Sequence, residues 1–405
     1  MEKRGEVDLH IGAIEVFVGI DVGKSAHHAV ALDRQGRVLL GRALPQDEAA
    51  LRALIAELRG HGTVLFVVDQ PATIGALPLA VARDEDVRVG YLPGLAMRRI
   101  AEIHAGEAKT DARDAAVIAQ AARTLPHALR PLRQDDDATA ALAMLAGFDE
   151  DLAGQVNQLS NRIRGLLTHF HPALERVLGP RRQHPAALDL LQRYPSPQAL
   201  RAAGRARVAA RLRRRAPRLG DKLAEDILAA LAEQTVVVTG TDAAARVLPQ
   251  LAEQLALVLA QRQRVAEQLQ ELVDDHPLGS RLLTMPGVGF RTAAHVVAET
   301  SGRQFATPGH LASFAGLAPV THRSGTSIRG ERAPRRGNRR LKRALYLSAF
   351  AALKDPVSRA YYDRKRAERR SHQAALLALA RRRSEVIFAM LRDDTTYDPK
   401  RASAA

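Results

Sequence analysis

The spacing of apolar residues divides the chain into an alternating first part and a helical remainder. In the first 125 residues, the runs EVFVGIDV (15–22), HHAVALD (27–33) and RVLLGRAL (37–44) predict three strands joined by glycine-containing turns. Helical spacing over 47–60 predicts a helix that ends at Gly60, and the continuous apolar run TVLFVVD (63–69) predicts a buried central strand. A helix near 75–84, a strand at 87–92 and helices at 94–106 and 110–124 follow. The pattern predicts an α/β domain with a mixed sheet, and its element order is typical of a ribonuclease-H-like fold.

Two ladders of apolar residues at steps of three and four predict long helices between residues 137 and 275. The first runs from Leu142 to Phe170 and is interrupted by Asp149, and the second runs from Leu248 to Leu272 with Arg262 at its missing step. Such ladders are typical of an antiparallel helix pair or a coiled-coil dimer arm, and ordinary bundle packing is the alternative. A basic stretch punctuated by proline and glycine, RYPSPQALRAAGRARVAARLRRRAPRLG, separates the two ladders.

A compact C-terminal segment begins near His276. The stretch SRLLTMPGVGFRTAAHVVAET (280–300) predicts helix, turn and helix, and it resembles a helix-hairpin-helix in which Gly287 and Gly289 let a phosphate approach backbone N–H groups. A plain helical hairpin is the alternative. The patterns together predict an α/β domain over 1–130, a helical or coiled-coil region over 137–275, a mostly helical domain over 276–395 and a tail over 396–405.

The charge balance of the chain indicates what kind of partner it binds. The chain has 60 Lys+Arg against 44 Asp+Glu, a net charge of +16, and between Thr321 and Arg383 the counts are 19 and 4. Such an excess favours a polyanion such as nucleic acid, although an arginine-rich proteome would also raise the total. The absence of cysteine excludes disulfides and thiolate metal sites. With no signal-peptide pattern and no uninterrupted apolar run of about 18 residues, we expect a cytoplasmic protein with no membrane span.

Four acids of the first domain have a spacing that suits metal binding. Asp21 and Asp69 close two apolar strands that are expected to be neighbours, and Asp111 and Asp114 stand at i and i+3 on a helix. Hard divalent cations prefer oxygen ligands, so these carboxylates could hold two Mg²⁺ ions for phosphoryl transfer. Helix capping and surface ion pairs are the alternatives for Asp111 and Asp114.

The sequence Gly23-Lys24-Ser25 after Asp21 imitates a nucleotide-binding loop. A P-loop needs a glycine five residues before Gly23, but Val18 occupies that position, and a strand rather than a helix follows. Sugar-kinase and actin-type ATPases also open with an Asp-x-Gly turn, but no second phosphate turn follows residue 130. We therefore interpret Asp21 as a metal ligand at a strand end, with Lys24 and His27 as possible contacts to DNA.

A serine in the basic segment is the second chemical candidate. Ser324 lies in a polar loop among arginines, just before a predicted helix that starts near Gly337-Asn338. A serine in such surroundings is either a hydroxyl that contacts phosphate or a nucleophile that attacks a phosphodiester. Ser327 is a weaker alternative nucleophile. The residues predicted to contact nucleic acid are Lys24, Lys109, Arg323, Arg329, Arg335, Arg336, Arg339, Arg340, Lys342, Arg343, Gly287 and Gly289.

Several motifs together resemble the DEDD-type insertion-sequence transposases of the IS110 family, which includes the Piv DNA invertases. The matching stretches, in this order, are VGIDVGKSAHHAVALD, VVDQPATIG, AKTDARDAAVIA, LLTMPGVGFRTA and FAGLAPVTHRSG…RRGNRRLKRALY. The resemblance implies a RuvC-like domain, a coiled-coil connection and a C-terminal transposase domain with an essential serine. Carried over, Asp21, Asp69, Asp111 and Asp114 become the metal-binding tetrad for Mg²⁺ or Mn²⁺, and Ser324 becomes the nucleophile.

The resemblance also implies partners. Carboxylates and serine would come from different subunits of a dimer, or of a tetramer on DNA, and act on element ends and target DNA. Some members are guided by a structured non-coding RNA encoded in the element. One departure is that the second tetrad position is usually Glu, where this chain has Asp69. The competing hypotheses are a RuvC-like resolvase or nuclease that uses the tetrad alone, and a non-catalytic nucleic-acid-binding protein.

Overall fold

The structure is a computed structural model that describes residues 11–70, 73–103, 110–131, 137–324, 328–332, 334 and 336–399. The predictions for Lys109, Ser327 and Arg335 lie outside the described residues. The chain divides into two compact units, Met1–Gln134 and Asp135–Ala405. The predicted domain bounds, 1–130, 137–275 and 276–395, stay predictions.

The first unit is a mixed sheet with helices. Its strands are β1 (Val16–Asp21), β2 (Ala26–Asp33), β3 (Val38–Pro45), β4 (Val64–Val68), β5 (Arg88–Tyr91) and the short β6 (Arg130–Pro131). Its helices are α1 (Glu48–Arg59), α2 (Ala76–Asp84), α3 (Gly94–Ala101) and α4 (Asp111–Thr124). The sheet order is β3-β2-β1-β4-β5-β6. β1 pairs antiparallel with β2 and parallel with β4, and β4 pairs parallel with β5. The predicted α/β character and mixed sheet are confirmed, and of the described strands β6 was not predicted.

The alternation of side chains gives the central strands two buried faces. Val16, Val18 and Ile20 of β1 pack with β4 side chains into one core, together with α1 and α2. Phe17 of β1 packs into a second core with Leu65 and Val67 of β4 and with α4. Two buried faces explain why the β4 sequence is continuously apolar instead of alternating.

Gly19 lets α4 approach the sheet closely. A Cβ atom at Gly19 would lie 2.3 Å from the carbonyl oxygen of Ala115 and 2.3 Å from the amide nitrogen of Ala119. Phe17, two residues earlier on the same face, packs with Ile118 of α4. The helix α4 therefore runs in the opposite direction to β1. This direction places the first turn of α4 at the carboxyl end of β1.

The described residues of the second unit form helices and one hairpin. Its helices are α5 (Asp137–Phe170), α6 (Pro172–Leu178), α7 (Pro185–Arg193), α8 (Pro197–Arg215), α9 (Gly220–Glu233), α10 (Thr241–Asp275), α11 (Pro277–Leu283), α12 (Phe290–Thr300), α13 (Pro308–Phe314), α14 (Arg339–Ala351), α15 (Pro356–Ala367) and α16 (His372–Asp393). The hairpin consists of β7 (Val320–Ser324) and β8 (Ile328–Arg332), which pair antiparallel. One core lies among α5–α10, and a second joins the ends of α5 and α10 to α11–α16.

The two predicted ladders form an antiparallel pair within one chain. Thr139 near the start of α5 contacts His276 just after α10, and the buried Asp149 accepts a hydrogen bond from Arg262 Nε at 3.1 Å. The two residues that interrupt the ladders are thus each other's partners, and Arg291 of α12 donates a further hydrogen bond to Asp149 at 3.0 Å. Desolvated charges need such partners. The two ladders therefore form an antiparallel helix pair within one chain. A coiled-coil dimer arm stays a prediction.

Length and composition alone would allow α10 to cross a membrane, with 22% of its most apolar window buried. Core helices of soluble proteins pass the same test, and the buried side of α10 packs along α5. Among the described residues, α10 is the one helix with this property.

Candidate active site

Two of the predicted acids stand at equivalent positions of adjacent strands. β1 and β4 are parallel, and Ile20 is the register partner of Val68. Asp21 is the next residue after Ile20 and Asp69 the next after Val68, so the two acids lie side by side where the strands end. Because side chains alternate along a strand, Asp21 shares its face with Gly19, and Asp69 shares its face with Val67. Both carboxylates therefore point to the face that α4 covers.

The other two acids lie in the first turn of α4. Thr110 is the N-cap residue, and its side chain accepts a hydrogen bond from Arg113 N at 3.2 Å. Asp111 and Asp114 follow in the first turn, where the helix dipole favours negative charge. The alternative that Asp111 caps this helix is thus wrong, because Thr110 has that role. The close contact at Gly19 brings this turn to the edge occupied by Asp21 and Asp69.

The Asp69 carboxyl is partly buried, and hydrogen bonds from Gln70 compensate its charge only in part. Burial raises its pKa, and the nearby charge of Asp114 raises the pKa further. Its Oδ1 atom is buried and has no hydrogen-bond partner among the described residues. An orphaned buried carboxylate oxygen beside a second carboxylate is suited to a cation. Within the described residues, no group of three or more His, Asp or Glu side chains lies close enough together to hold a metal ion.

Two neighbouring histidines lie on opposite faces of β2. His28 is the antiparallel register partner of Asp21, and directly opposed residues of a strand pair share a face, so His28 lies at the carboxylate edge. His27 is 3% exposed, its Nδ1 accepts a hydrogen bond from Gly23 N, and burial lowers its pKa. The prediction that His27 contacts DNA is therefore wrong, whereas Lys24 is exposed. Val30 shares the face of His28 and packs with Ala115 and Ala119 of α4, and only this packing distinguishes His28 from His27.

Ser324 lies at the end of the hairpin of the second unit. The prediction of a polar loop at this residue is wrong, because Ser324 is the last residue of β7 and is paired with Ile328, the first residue of β8. Three residues connect the strands. This strand pairing places Ser324 at the end of the hairpin that is farthest from its base.

The base of the hairpin is fixed by two glycines that cross. Gly316 precedes β7, Gly337 follows β8, and both have positive φ, 67° and 118°. A Cβ atom at Gly337 would lie 2.5 Å from Gly316 Cα, and one at Gly316 would lie 2.6 Å from Arg336 O. Next to this crossing, Asn338 N donates to Phe314 O at 2.7 Å, and the Asn338 side chain caps α14 by accepting from Leu341 N at 2.9 Å. The motifs FAGLAP and RRGN thus close the hairpin, a role that the sequence did not reveal.

Comparisons with known proteins match both candidate regions. A model of the DEDD transposases of the IS110 type matches residues 18–172, and one of the IS116/IS110/IS902 transposase family matches residues 279–363. A 43.6-kDa protein of insertion element IS110 from Streptomyces coelicolor is 56% identical over 390 residues, covering 96% of each chain. A 42-kDa protein of insertion element IS900 from Mycobacterium paratuberculosis is 39% identical and covers 96% of this chain and 99% of its own length. The chain belongs to the IS110 family of insertion-sequence transposases.

Family membership gives the chain an activity and a partner. It is a DNA transposase or recombinase of an insertion element, and DNA is its partner. A pilin gene-inverting protein of Moraxella bovis is 30% identical over 125 residues, 30% of this chain and 39% of its own length. The four acids lie within the first matched region and Ser324 within the second. The helices between residues 172 and 279 lie in neither.

The basic residues near the transposase hairpin differ in exposure and in whether they form ion pairs. Arg336 and Arg339 are exposed and Lys342 is half-buried. Arg340 and Arg343 of α14 pair with Glu150 of α5 at 3.1 and 3.2 Å. The side chains of Arg323 and Arg329, on β7 and β8, lie outside the described residues. Contacts of all these residues to nucleic acid stay predictions, and two of the arginines would have to exchange Glu150 for phosphate.

The Pro-Gly-Val-Gly turn of this transposase has one packed and one open glycine. Gly287 has a φ of 76°, and a Cβ atom there would lie 2.6 Å from Ala352 N, so its glycine is required for packing beside the end of α14. The buried Arg383 donates to Pro286 O in the same turn, and burial lowers its pKa to about 10. Gly289 is exposed at the N-terminus of α12 with no atom within 4 Å of a Cβ position. Of the two, Gly289 has the space that a phosphate contact needs.

Proposed function

We propose that this transposase cleaves and exchanges DNA strands with Ser324 as nucleophile, in a reaction that depends on a divalent cation held at the carboxylate edge. The observation that carries the metal dependence is the buried Asp69 Oδ1, orphaned among the described residues beside Asp114 and next to Asp21. The DEDD type of the matched family supports a divalent metal requirement.

The fold of the first unit supports the comparison with RuvC. Its first five strands are ordered β3-β2-β1-β4-β5, with β2 antiparallel to its neighbours and β1, β4 and β5 parallel. Together with α4 packed over the carboxyl end of β1, this is the arrangement expected of a ribonuclease-H-like domain. Residues Asp21, Asp69, Asp111 and Asp114 would hold Mg²⁺ or Mn²⁺, and binding of the ion would draw their side chains closer together than they lie in the described residues. Such an ion stabilises the negative charge that develops on the oxygens in phosphoryl transfer.

The shorter Asp69 fits this edge in one particular way. Aspartate lacks one methylene of the glutamate that is usual in the family, so its carboxylate stays closer to the end of β4. Its buried Oδ1 still lies near enough to Asp114 for the charges to interact. We therefore propose that Asp69 is a ligand, directly or through a bridging water.

The covalent step balances as a transesterification. The Ser324 Oγ attacks the phosphorus of a DNA phosphodiester, a serine–phosphate bond forms, and one P–O bond to the adjoining nucleoside breaks. The proton of the serine hydroxyl ends on the released DNA hydroxyl. Attack of another DNA hydroxyl on the serine–phosphate bond reverses the step and joins exchanged strands, so no phosphodiester is lost to water. The family resemblance adds the composite site between subunits and the element-encoded guide RNA to this proposal, with the protein acting in the cytoplasm at the nucleoid.

The decisive experiment looks for a covalent intermediate. The full-length protein is incubated with labelled element-end DNA, guide RNA and Mg²⁺, and the products are separated under denaturing conditions. We expect a protein–DNA adduct that is absent in Ser324→Ala and in Asp21→Asn, and that Ser327→Ala retains. Removal of Mg²⁺ with a chelator should abolish the adduct of the intact protein.

Other outcomes identify the alternatives. Cleavage without an adduct, unchanged in Ser324→Ala, would favour a nuclease that uses the carboxylates alone. Binding with neither cleavage nor adduct would favour a nucleic-acid-binding protein whose acids are structural. Loss of the adduct in Ser327→Ala but not in Ser324→Ala would move the nucleophile to Ser327.

A further inference from the structure

Helix α8 carries a concentration of positive charge far from the basic hairpin segment in the sequence. Between residues 201 and 222 the chain has 9 Lys or Arg and 1 acid. This segment lies outside both regions that match the transposase families. The chemistry proposed above assigns it no role, so its charge needs an account of its own.

The backbone of α8 separates an apolar side from a cationic side. Gly204 has φ 73° and ψ 165°, which breaks the helix and starts a second segment at residue 205. Val208 and Leu212 of that segment are fully buried in the core that α9 shares. The core fixes the rotation of the segment and directs its arginines outward.

Half of the arginines are occupied by partners within the unit. Arg201 donates to Leu231 O at 2.9 Å, Arg205 pairs with Glu225 at 2.9 Å, and Arg211 pairs with Asp189 at 2.7 Å. Arg213 lies 3.4 Å from Asp221. These four therefore stabilise the packing of α8 against its neighbours.

The remaining cations of this segment do not stabilise the packing of α8 through ion pairs or hydrogen bonds to described residues. They are exposed and make no ion pair or hydrogen bond to any residue the structure describes. They are Arg207, Arg214 and Arg215 of α8, Arg218 in the connection to α9, and Lys222 in the first turn of α9. We call this set the α8 cationic surface. Five neighbouring unpaired cations repel one another, so an anionic partner would relieve the repulsion.

The spacing of this surface suits a polymer of phosphates. Arg207 and Arg214 are seven residues apart and share one side of the helix, about 10 Å apart along its axis. Duplex DNA carries one negative charge per about 1.7 Å of its axis, so several phosphates lie within this length. Between the two arginines, the exposed Ala210 is short and lets a backbone approach closely. α8 has no aromatic residue on which an unpaired base could stack.

We propose that the α8 cationic surface binds the sugar-phosphate backbone of duplex DNA, without sequence preference, as a contact separate from the carboxylate edge and the serine hairpin. The choice of DNA follows from membership of a transposase family. The proposal does not depend on the serine chemistry, because phosphate contacts position a duplex whatever reaction follows.

The test is the salt dependence of DNA binding by the full-length protein. The triple variant Arg207→Gln/Arg214→Gln/Arg218→Gln is compared with the intact protein on duplexes of element-end and unrelated sequence. Each lost phosphate contact lowers the slope of log affinity against log salt by about 0.9. We expect a slope shallower by about 2 to 3, and affinity at low salt reduced about 10- to 100-fold for both sequences.

A charge-matched variant is the control. Arg37→Gln/Arg42→Gln/Arg59→Gln removes the same charge from exposed arginines that already pair with Asp33, Glu57 and Glu85. We expect its slope to stay near that of the intact protein. Thermal unfolding of both triples checks that the fold is retained.

Three results would overturn the proposal. They are a slope equal to that of the intact protein, an equal change in the control triple, and a loss confined to duplex RNA or to an acidic polypeptide such as polyglutamate. Binding is read without cleavage, and the series is repeated in the Ser324→Ala background. Failure of the adduct experiment therefore leaves this test intact, and failure of this test leaves the proposed chemistry intact.

Discussion

The carboxylate edge and the serine hairpin place reactive groups by different means. At the carboxylate edge, Asp21 and Asp69 are fixed by the register of two central parallel strands and are covered by α4. Ser324 lies at the far end of a hairpin of two strands. A two-stranded hairpin has little stability of its own, so its orientation depends on the crossing of Gly316 and Gly337 at its base.

This difference determines which substitutions would disturb each site. The carboxylate edge depends on one close contact between a helix and a strand, and any atom added there separates Asp114 from Asp69. The position of the serine hairpin depends on the backbone conformation of Gly316 and Gly337 at its base. Both sites therefore have a glycine as their most sensitive supporting position, for different physical reasons.

The largest effect is expected at Gly19. In Gly19→Ala the new Cβ would lie 2.3 Å from two backbone atoms of α4, so the helix must move away from the sheet. Overpacking of this kind costs typically 1–3 kcal/mol and occasionally more, and we expect about 3 kcal/mol because both atoms belong to the backbone. Urea denaturation measures the loss. Gly41→Ala is the matched control, since its nearest atom is Val30 Cγ2 at 4.0 Å. Equal stability of the two variants would contradict the close contact.

A smaller effect on stability is expected at Gly337. Its φ of 118° is strained for any other residue, and a Cβ there would lie 2.5 Å from Gly316 N. We expect Gly337→Ala to lower the free energy of unfolding by about 1–3 kcal/mol and to reduce adduct formation by Ser324. Gly330→Ala, within β8 of the same hairpin, meets no atom within 4 Å and should behave like the intact protein. An adduct yield equal in both variants would show that the hairpin base does not position Ser324.

The smallest effect concerns the charge of Asp69. Burial and Asp114 raise its pKa above the unfolded value of 3.8. The folded protein therefore binds the proton more tightly, and its stability falls as pH rises from 3.8 to the raised pKa. Without divalent metal, Asp69→Asn should be more stable than the intact protein above that window, with the difference shrinking as pH falls through the window towards 3.8. Denaturation at several pH values measures this.

Two comparisons sharpen the Asp69 experiment. Asp86→Asn replaces an exposed acid just before β5, at the opposite end of the sheet, and should show no such pH dependence. Added Mg²⁺ should raise the unfolding midpoint of the intact protein and leave that of Asp69→Asn nearly unchanged. A stability curve of Asp69→Asn parallel to that of the intact protein at all pH values would remove the cation argument.

Most elements of the first unit, and α5, α10, α11, α12 and α14 of the second, could be predicted from local patterns, whereas the polar sequence of β7 and β8 was interpreted as a loop. The strands around Asp21 and Asp69 followed from apolar runs, and the antiparallel pair of α5 and α10 was one of the alternatives left by the two ladders. The mutual pairing of Asp149 and Arg262 could not be predicted, because residues 113 apart meet only when both helices are packed. For the same reason the opposite fates of His27 and His28 needed the face of the sheet to be known.

The sequence by itself determined most elements of the first unit, the long helices of the second, the excess of positive charge and the identity of the acids, since these depend on residue types and short-range spacing. Only the tertiary structure decided that Asp114 raises the pKa of Asp69, that Gly287 packs beside α14, and which arginines of α8 are already paired. These properties depend on atoms that are distant in the chain and a few ångströms apart in space. Periodicity contains no information about such distances.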